Sequence, residues 1–235
     1  MTPSRDFVRF ITVAYRKHPI FPGQIYHIFN RGVASQPIFG SSTDYRRFCR
    51  VTDFYRFIVE TRYSYFNRLP VEERNSFISE LHGKGKKQVS LFAFCLMSNH
   101  FHFLGRELVE GGIRRFISNV QNSYAKYINA RRKRTGALFQ EMFKTVRVEN
   151  DEQFLHVARY IHLNPSTSFV VKETSDLLSY PWSSFPDYLG KQRFEFIDKE
   201  FLNGFYKDNN KLKDFVFDQV NYQRELKNIG HLLLE

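Results

Sequence analysis

Cysteine is scarce in this chain, with only Cys49 and Cys95 present. They stand far apart, without the paired spacing of a thiolate metal site, so reduced thiols and a cytoplasmic setting are expected. Long apolar runs are missing as well. None approaches the roughly 20 residues a membrane-spanning helix needs. The opening "MTPSRDFVRFITVAYRKHP" is broken by charge before a signal-type apolar core develops, so a soluble protein without a membrane partner is expected. No Walker loop, G-x-G-x-x-G turn, G-x-S-x-G elbow or C-x-x-C pair occurs, which sets aside the common nucleotide, dinucleotide and serine-hydrolase chemistries. Acidic residues are absent from Ile113 to Gln140.

What is present is positive charge and aromatic bulk. Lysine and arginine number 35 against 24 acidic residues, a formal charge of +11, and aromatics make up 17% of the chain. A hydrophobic content of 42% suits a globular protein. The length of 235 residues suits one large domain or a core with an appendage. The charge excess points to a polyanion, nucleic acid ahead of an anionic membrane.

Periodicity supplies the elements. "QIYHIFNRG" (24–32) sets Tyr26 and Ile28 against His27 and Phe29, as a strand does before a turn. "STDYRRFCRVTDFYRFIVE" (42–60) places Phe48, Val51, Tyr55 and Ile58 at helical spacing behind cap-type residues. Residues 61–87 read as an insertion, with a short helix after Pro70 and an exposed turn in "HGKGKKQ". Two strands (89–98 and 100–106) meet near Asn99. A glycine-bounded helix (111–136) carries the stripe Ile113, Phe116, Ile117, Val120 and Tyr124. A strand (143–149) precedes a helix that Asn150 and Gln153 open as a capping box and that Pro165 is expected to stop. The order β-α-β-β-α-β-α predicts an α+β fold, a ferredoxin-like antiparallel sheet with helices on one face. Residues 191–235 read as a helical extension.

Three constellations bear on chemistry. His100 and His102 flank Phe101, so in a strand they share one face. Such a pair serves equally as hydrogen-bonded core histidines or as ligands of one divalent ion. Tyr160 and Asn164 stand four apart in "RYIHLNP" and share a helical face. His156 falls on the same stripe, and His162 points elsewhere. A tyrosine hydroxyl, with a pKa of roughly 10, attacks phosphate poorly unless a cation polarises it. An isolated tyrosine here also suits a helix core. The third is the strip Arg114, Arg115, Lys126, Arg131, Arg132, Lys133 and Arg134, interleaved with Tyr124 and Tyr127. It could follow a phosphate backbone or be a solvated helix face, and Arg31, Lys144 and Arg147 could extend it.

Together "YHIFNRG", "FAFCLMSNHFHFL", "QNSYAKYINARRKRTGALFQEMFK", "RYIHLNP" and "YPWSSFPDYLG" resemble the single-tyrosine HUH transposases (IS200-like), in particular the REP-associated tyrosine branch, over roughly residues 24–190. Ser98 departs from the proline that family usually has before Asn-His. The resemblance implies a catalytic domain over 1–190, with Tyr160 as nucleophile and His100, His102 and Asn164 holding Mg²⁺ or Mn²⁺. Imidazole ligands favour Mn²⁺ of the two. It implies cleavage and rejoining of single-stranded DNA bearing REP-like hairpins through a 5′-phosphotyrosine, by a monomer or homodimer. The alternatives are a domesticated relative that binds structured DNA or RNA without cutting, and a phosphohydrolase that uses water in place of Tyr160.

Overall fold

The computed structural model describes residues 19–191, 193–206 and 208–219. Four strands, β1 (Ile25–Arg31), β2 (Val89–Met97), β3 (His100–Glu107) and β4 (Lys144–Val148), form one sheet in the order β2-β3-β1-β4, with every pairing antiparallel. This is the ferredoxin-like order expected.

Alternation along β1 and β3 gives the sheet two different faces. Tyr26 and Ile28 with Phe101 and Phe103 face helices α1 (Ser42–Tyr55) and α4 (Gly112–Arg131). There Phe48 meets Phe101, Phe103, Phe39 and Tyr124, all buried. Ser41 caps α1 by accepting from the Asp44 N–H. The fully buried Glu107 accepts from Gly111 and Ile113 N–H at 2.8 and 3.0 Å, so a carboxylate meets the positive end of α4.

α1 stops at Tyr55, earlier than the apolar spacing suggests, and Ile58 is left 45% exposed. The chain turns because Gln88 donates its amide to the Tyr55 and Phe57 carbonyls, and Phe57 bridges Lys87. The insertion forms α2 (Tyr63–Phe66) and α3 (Val71–Lys84). His82, Gly83 and Lys84 are helical, so the exposed turn expected from His82 begins only at Gly85.

α5 (Asp151–Thr167) covers the other face, against β2, β3 and β4, where a one-faced arrangement was expected. Asn150 accepts from Gln153 N–H, and Gln153 in return accepts from Glu149 N–H, both at 2.9 Å. Pro165 does not end the helix, which runs on to Thr167. One missing N–H near a helix end forfeits one bond, and the carbonyls of Asn164 and Pro165 are taken by the N–H groups of Ser168, Val170 and Val171.

The loop-rich segment after α5 closes the outer edge of β2. Leu96 N–H donates to Trp182 O, Ser184 N–H to Phe94 O, and Asp198 N–H to Leu91 O. Tyr180 and Tyr188 hydroxyls donate to the Leu96 and Phe92 carbonyls. "YPWSSFPDYLG" is therefore an edge cover, with α6 (Phe185–Tyr188) as its turn. Beyond it come α7 (Glu200–Asn203) and α8 (Asn209–Phe217). α8 packs on α5, where the Arg159 guanidinium lies 4.2 Å from the Phe215 ring. The part of the expected extension beyond 219 lies outside the described residues. Among the described residues no helix is long and apolar enough to cross a membrane.

Candidate active site

β3 and α5 bring the predicted residues together. Arg31 pairs with His100 and Phe29 with His102 in the register of β1 and β3, so both histidines project from the α5 face. Their ring centroids are 5.0 Å apart with the planes perpendicular. Tyr160 sets its ring edge-on to His102 at 5.6 Å and to His27 at 5.8 Å. It is 41% exposed although its neighbours Ile161 and His162 are fully buried. One turn on, Asn164 Oδ1 lies 3.3 Å from His100 Nε2.

Each imidazole has a partner on its other nitrogen. His100 Nδ1 lies 2.6 Å from Asn99 Oδ1, and Asn99 is itself anchored by donating to Ser35 O. An amide oxygen only accepts, so the short contact is His100 Nδ1–H donating to Asn99, while Nε2 faces the Asn164 amide. His102 Nδ1 lies 2.9 Å from His27 Nε2. Burial pushes the His27 pKa down to about 4, so this ring is neutral at physiological pH.

These donors fit a divalent ion. His100 Nε2 and Asn164 Oδ1 lie close enough to face one ligand together. The buried Asn164 Nδ2 has no hydrogen-bond partner. Two imidazoles and an amide oxygen are acceptable to Mn²⁺ and less so to Mg²⁺. Among the described residues no three His, Cys, Asp or Glu side chains cluster for metal binding.

The basic residues divide. Arg31 and Lys144 line a pocket of about 170 Å³ with His100, His102 and Gln140. Arg147 lines a second pocket, between β4 and the start of α5, with His27 and His156. His156 lies 2.7 Å from an Arg159 nitrogen and belongs to that pocket. Arg131 and Arg132 both grip the buried Asp44. Burial alone would raise the Asp44 pKa. The Gly40 N–H, the Arg132 hydrogen bond and the Arg131 and Arg132 charges outweigh it and hold the carboxyl below its usual range. Lys133 and Arg134 follow at the same end of the molecule, where Arg134 donates to Ala137 O. Arg114 and Arg115 sit at the far end of α4, with Arg115 donating to Gln88. Lys126 is exposed on α4. All three are separated from the histidines by the sheet. Tyr124 is core, its hydroxyl donating to Ile38 O.

One residue went unassigned by sequence reasoning. His27 touches both His102 and Tyr160, and only the strand register reveals it.

Residues 55–164 match the family model described as transposase IS200 like. The match runs from the end of α1 to Asn164 and takes in His100, His102 and Tyr160. Among solved structures, a REP-associated tyrosine transposase bound to a REP hairpin is similar at a TM-score of 0.51 and 14% identity. It covers 77% of this chain and 88% of that one. At that identity the likeness concerns the fold. No curated protein matches the chain. The sequence match over residues 55–164 is to the IS200-like transposase model, and the structural likeness adds the fold.

Proposed function

We propose that the protein cleaves and rejoins hairpin-bearing single-stranded DNA, with Tyr160 as the nucleophile. One observation carries this reading: a half-exposed tyrosine stands edge-on to His102 while its helix neighbour Asn164 meets His100, all within one chain. A core tyrosine would be buried, as Tyr124 and Tyr188 are.

The Tyr160 oxygen attacks the phosphorus and the bond from phosphorus to the 3′ oxygen breaks. A 5′-phosphotyrosine and a 3′-hydroxyl result. The phenol proton leaves to solvent, and the departing 3′ oxygen takes one up. Attack by a 3′-hydroxyl on the phosphotyrosine reverses the step and restores the phenol, so rejoining needs no nucleotide. His100, His102 and Asn164 would hold Mn²⁺ or Mg²⁺, which when bound polarises the scissile phosphate. His27 and Asn99 fix the two imidazoles. Arg31 and Lys144 beside the pocket receive the flanking backbone charge, and Arg147, Lys133 and Arg134 extend that surface.

The test is incubation with single-stranded hairpin oligonucleotides and Mn²⁺ or Mg²⁺, followed by denaturing electrophoresis. An adduct that survives SDS is expected, and it disappears in Tyr160→Phe. Intact binding with no adduct on any hairpin would make the protein a binder of structured nucleic acid. Cleavage that survives Tyr160→Phe would assign the reaction to water.

A further inference from the structure

The insertion builds a second polar site on the opposite side of the sheet. α2 and α3 fold against α1 and enclose a pocket of about 730 Å³. Its apolar wall is Tyr63, Phe66 and Ile78, and its cationic wall is Arg50 and Arg74. Arg47, one turn before Arg50 on α1, lies 4.2 Å from the Tyr63 ring. Arg47, Arg50 and Arg74 all bear electrostatically on the Tyr63 phenol, and Arg50 bears unfavourably on Arg47.

Arg47 also lies 5.1 Å from the Tyr127 ring, and the like charges gathered around Tyr63 disfavour one another. Among the described residues none of them is within ion-pair distance of a carboxylate. The Nε–H groups of Arg47 and Arg74 are buried and make no hydrogen bond. Orphaned buried donors on charged side chains are costly. Asp53 and Glu195 line the same pocket, but they pair with residues other than these three arginines. Asp53 holds Arg56 at 2.8 Å and His82 at 3.0 Å, and Glu195 meets the other nitrogen of His82 at 3.1 Å. The three arginines are thus left without an ion-pair partner among the described residues, and their forked donors suit a phosphate.

We propose that Arg47, Arg50 and Arg74 form a second phosphate-binding site, which takes a backbone phosphate of the bound nucleic acid outside the strand held at Tyr160. The proposal rests on the nucleic-acid reading above but not on cleavage. The aromatic wall offers a stacking surface for an adjoining unpaired base.

The test uses the full chain in EDTA, so that loss of cleavage cannot affect it. Fluorescence anisotropy follows a hairpin with long single-stranded flanks as salt is raised, for wild type and for R50A/R74A. Removing two phosphate contacts should lower the slope of log affinity against log salt by about 1 to 2 and weaken binding several-fold. R50K/R74K should keep most of the slope. A parallel arm follows the melting temperature in inorganic phosphate against chloride at matched ionic strength. Phosphate should stabilise wild type and leave R50A/R74A unmoved. Loss of the phosphate effect with an unchanged DNA slope overturns the nucleic-acid assignment and leaves a site for a free phosphate compound. Because like charges are being removed, the double variant should melt no lower than wild type in chloride. A sharp fall in that temperature marks the arginines as structural and overturns the proposal. So does a double variant indistinguishable from wild type in both arms.

Discussion

His27 Nε2 lies 2.9 Å from His102 Nδ1, and both rings stand against the edge of Tyr160. With His27 neutral, His102 is held in one orientation by a partner that adds no charge. His27→Leu should therefore lower the cleavage rate by about 10- to 100-fold, the usual effect of losing a residue that orients a ligand. Hairpin affinity should barely change. Rates of adduct formation beside anisotropy measurements check both halves, and equal losses would mean that His27 serves binding.

The three expected ligands should separate chemistry from affinity. His102→Ala and Asn164→Ala are expected to abolish adduct formation while most hairpin binding persists, since lysine and arginine contacts supply most of the affinity. Tyr160→Phe removes only a half-exposed hydroxyl, so its unfolding free energy should stay within about 0.5 kcal/mol of wild type. A urea titration checks this. A large loss of stability would make Tyr160 a structural residue.

Asp44 silences part of the basic strip by pairing with Arg131 and Arg132. Asp44→Asn should free both guanidinium groups and steepen the salt dependence of non-specific DNA binding by about 1 to 2. It should also lower stability, read as a fall in the urea midpoint, because the buried Asp44 side chain loses both charged partners. Binding isotherms at several salt concentrations decide the first point. An unchanged slope would mean that the pair never reaches DNA.

His162 is fully buried against Ser184 Oγ at 2.9 Å, and burial lowers its pKa to about 3. The unfolded chain takes up the proton near pH 6.5 and the folded chain does not. Stability from this residue is thus complete above about pH 6.5 and falls as pH drops toward 3. By pH 5 about 2 kcal/mol should be gone. His27, lowered to about 4, adds a loss of the same sign. Urea midpoints at pH 7.5 and 5.0 measure the sum, and His162→Leu should flatten it by about half.

Much of this was legible in the chain. Apolar alternation placed β1 and β3, the i,i+4 relation joined Tyr160 to Asn164, and the element order predicted the strand order. What escaped was decided by contacts between distant segments. α1 ends early because Gln88, over thirty positions on, competes for its last carbonyls. Which sheet face α5 covers depends on packing, because a helix after the last strand can turn either way. His27 joined the site through register, and charge counting could not see that Asp44 claims two of the arginines.

The contact between Arg159 and Phe215 carries a consequence for timing. Arg159 donates to the Phe215 carbonyl 56 positions later, beneath a ring that covers its guanidinium. The helix bearing Tyr160 is therefore completed by a segment that leaves the ribosome long after it. A nascent chain that already displays both histidines and the tyrosine still has a basic, uncovered flank on α5. The flank of α5 beside Tyr160 is in this sense finished by a segment that emerges after it.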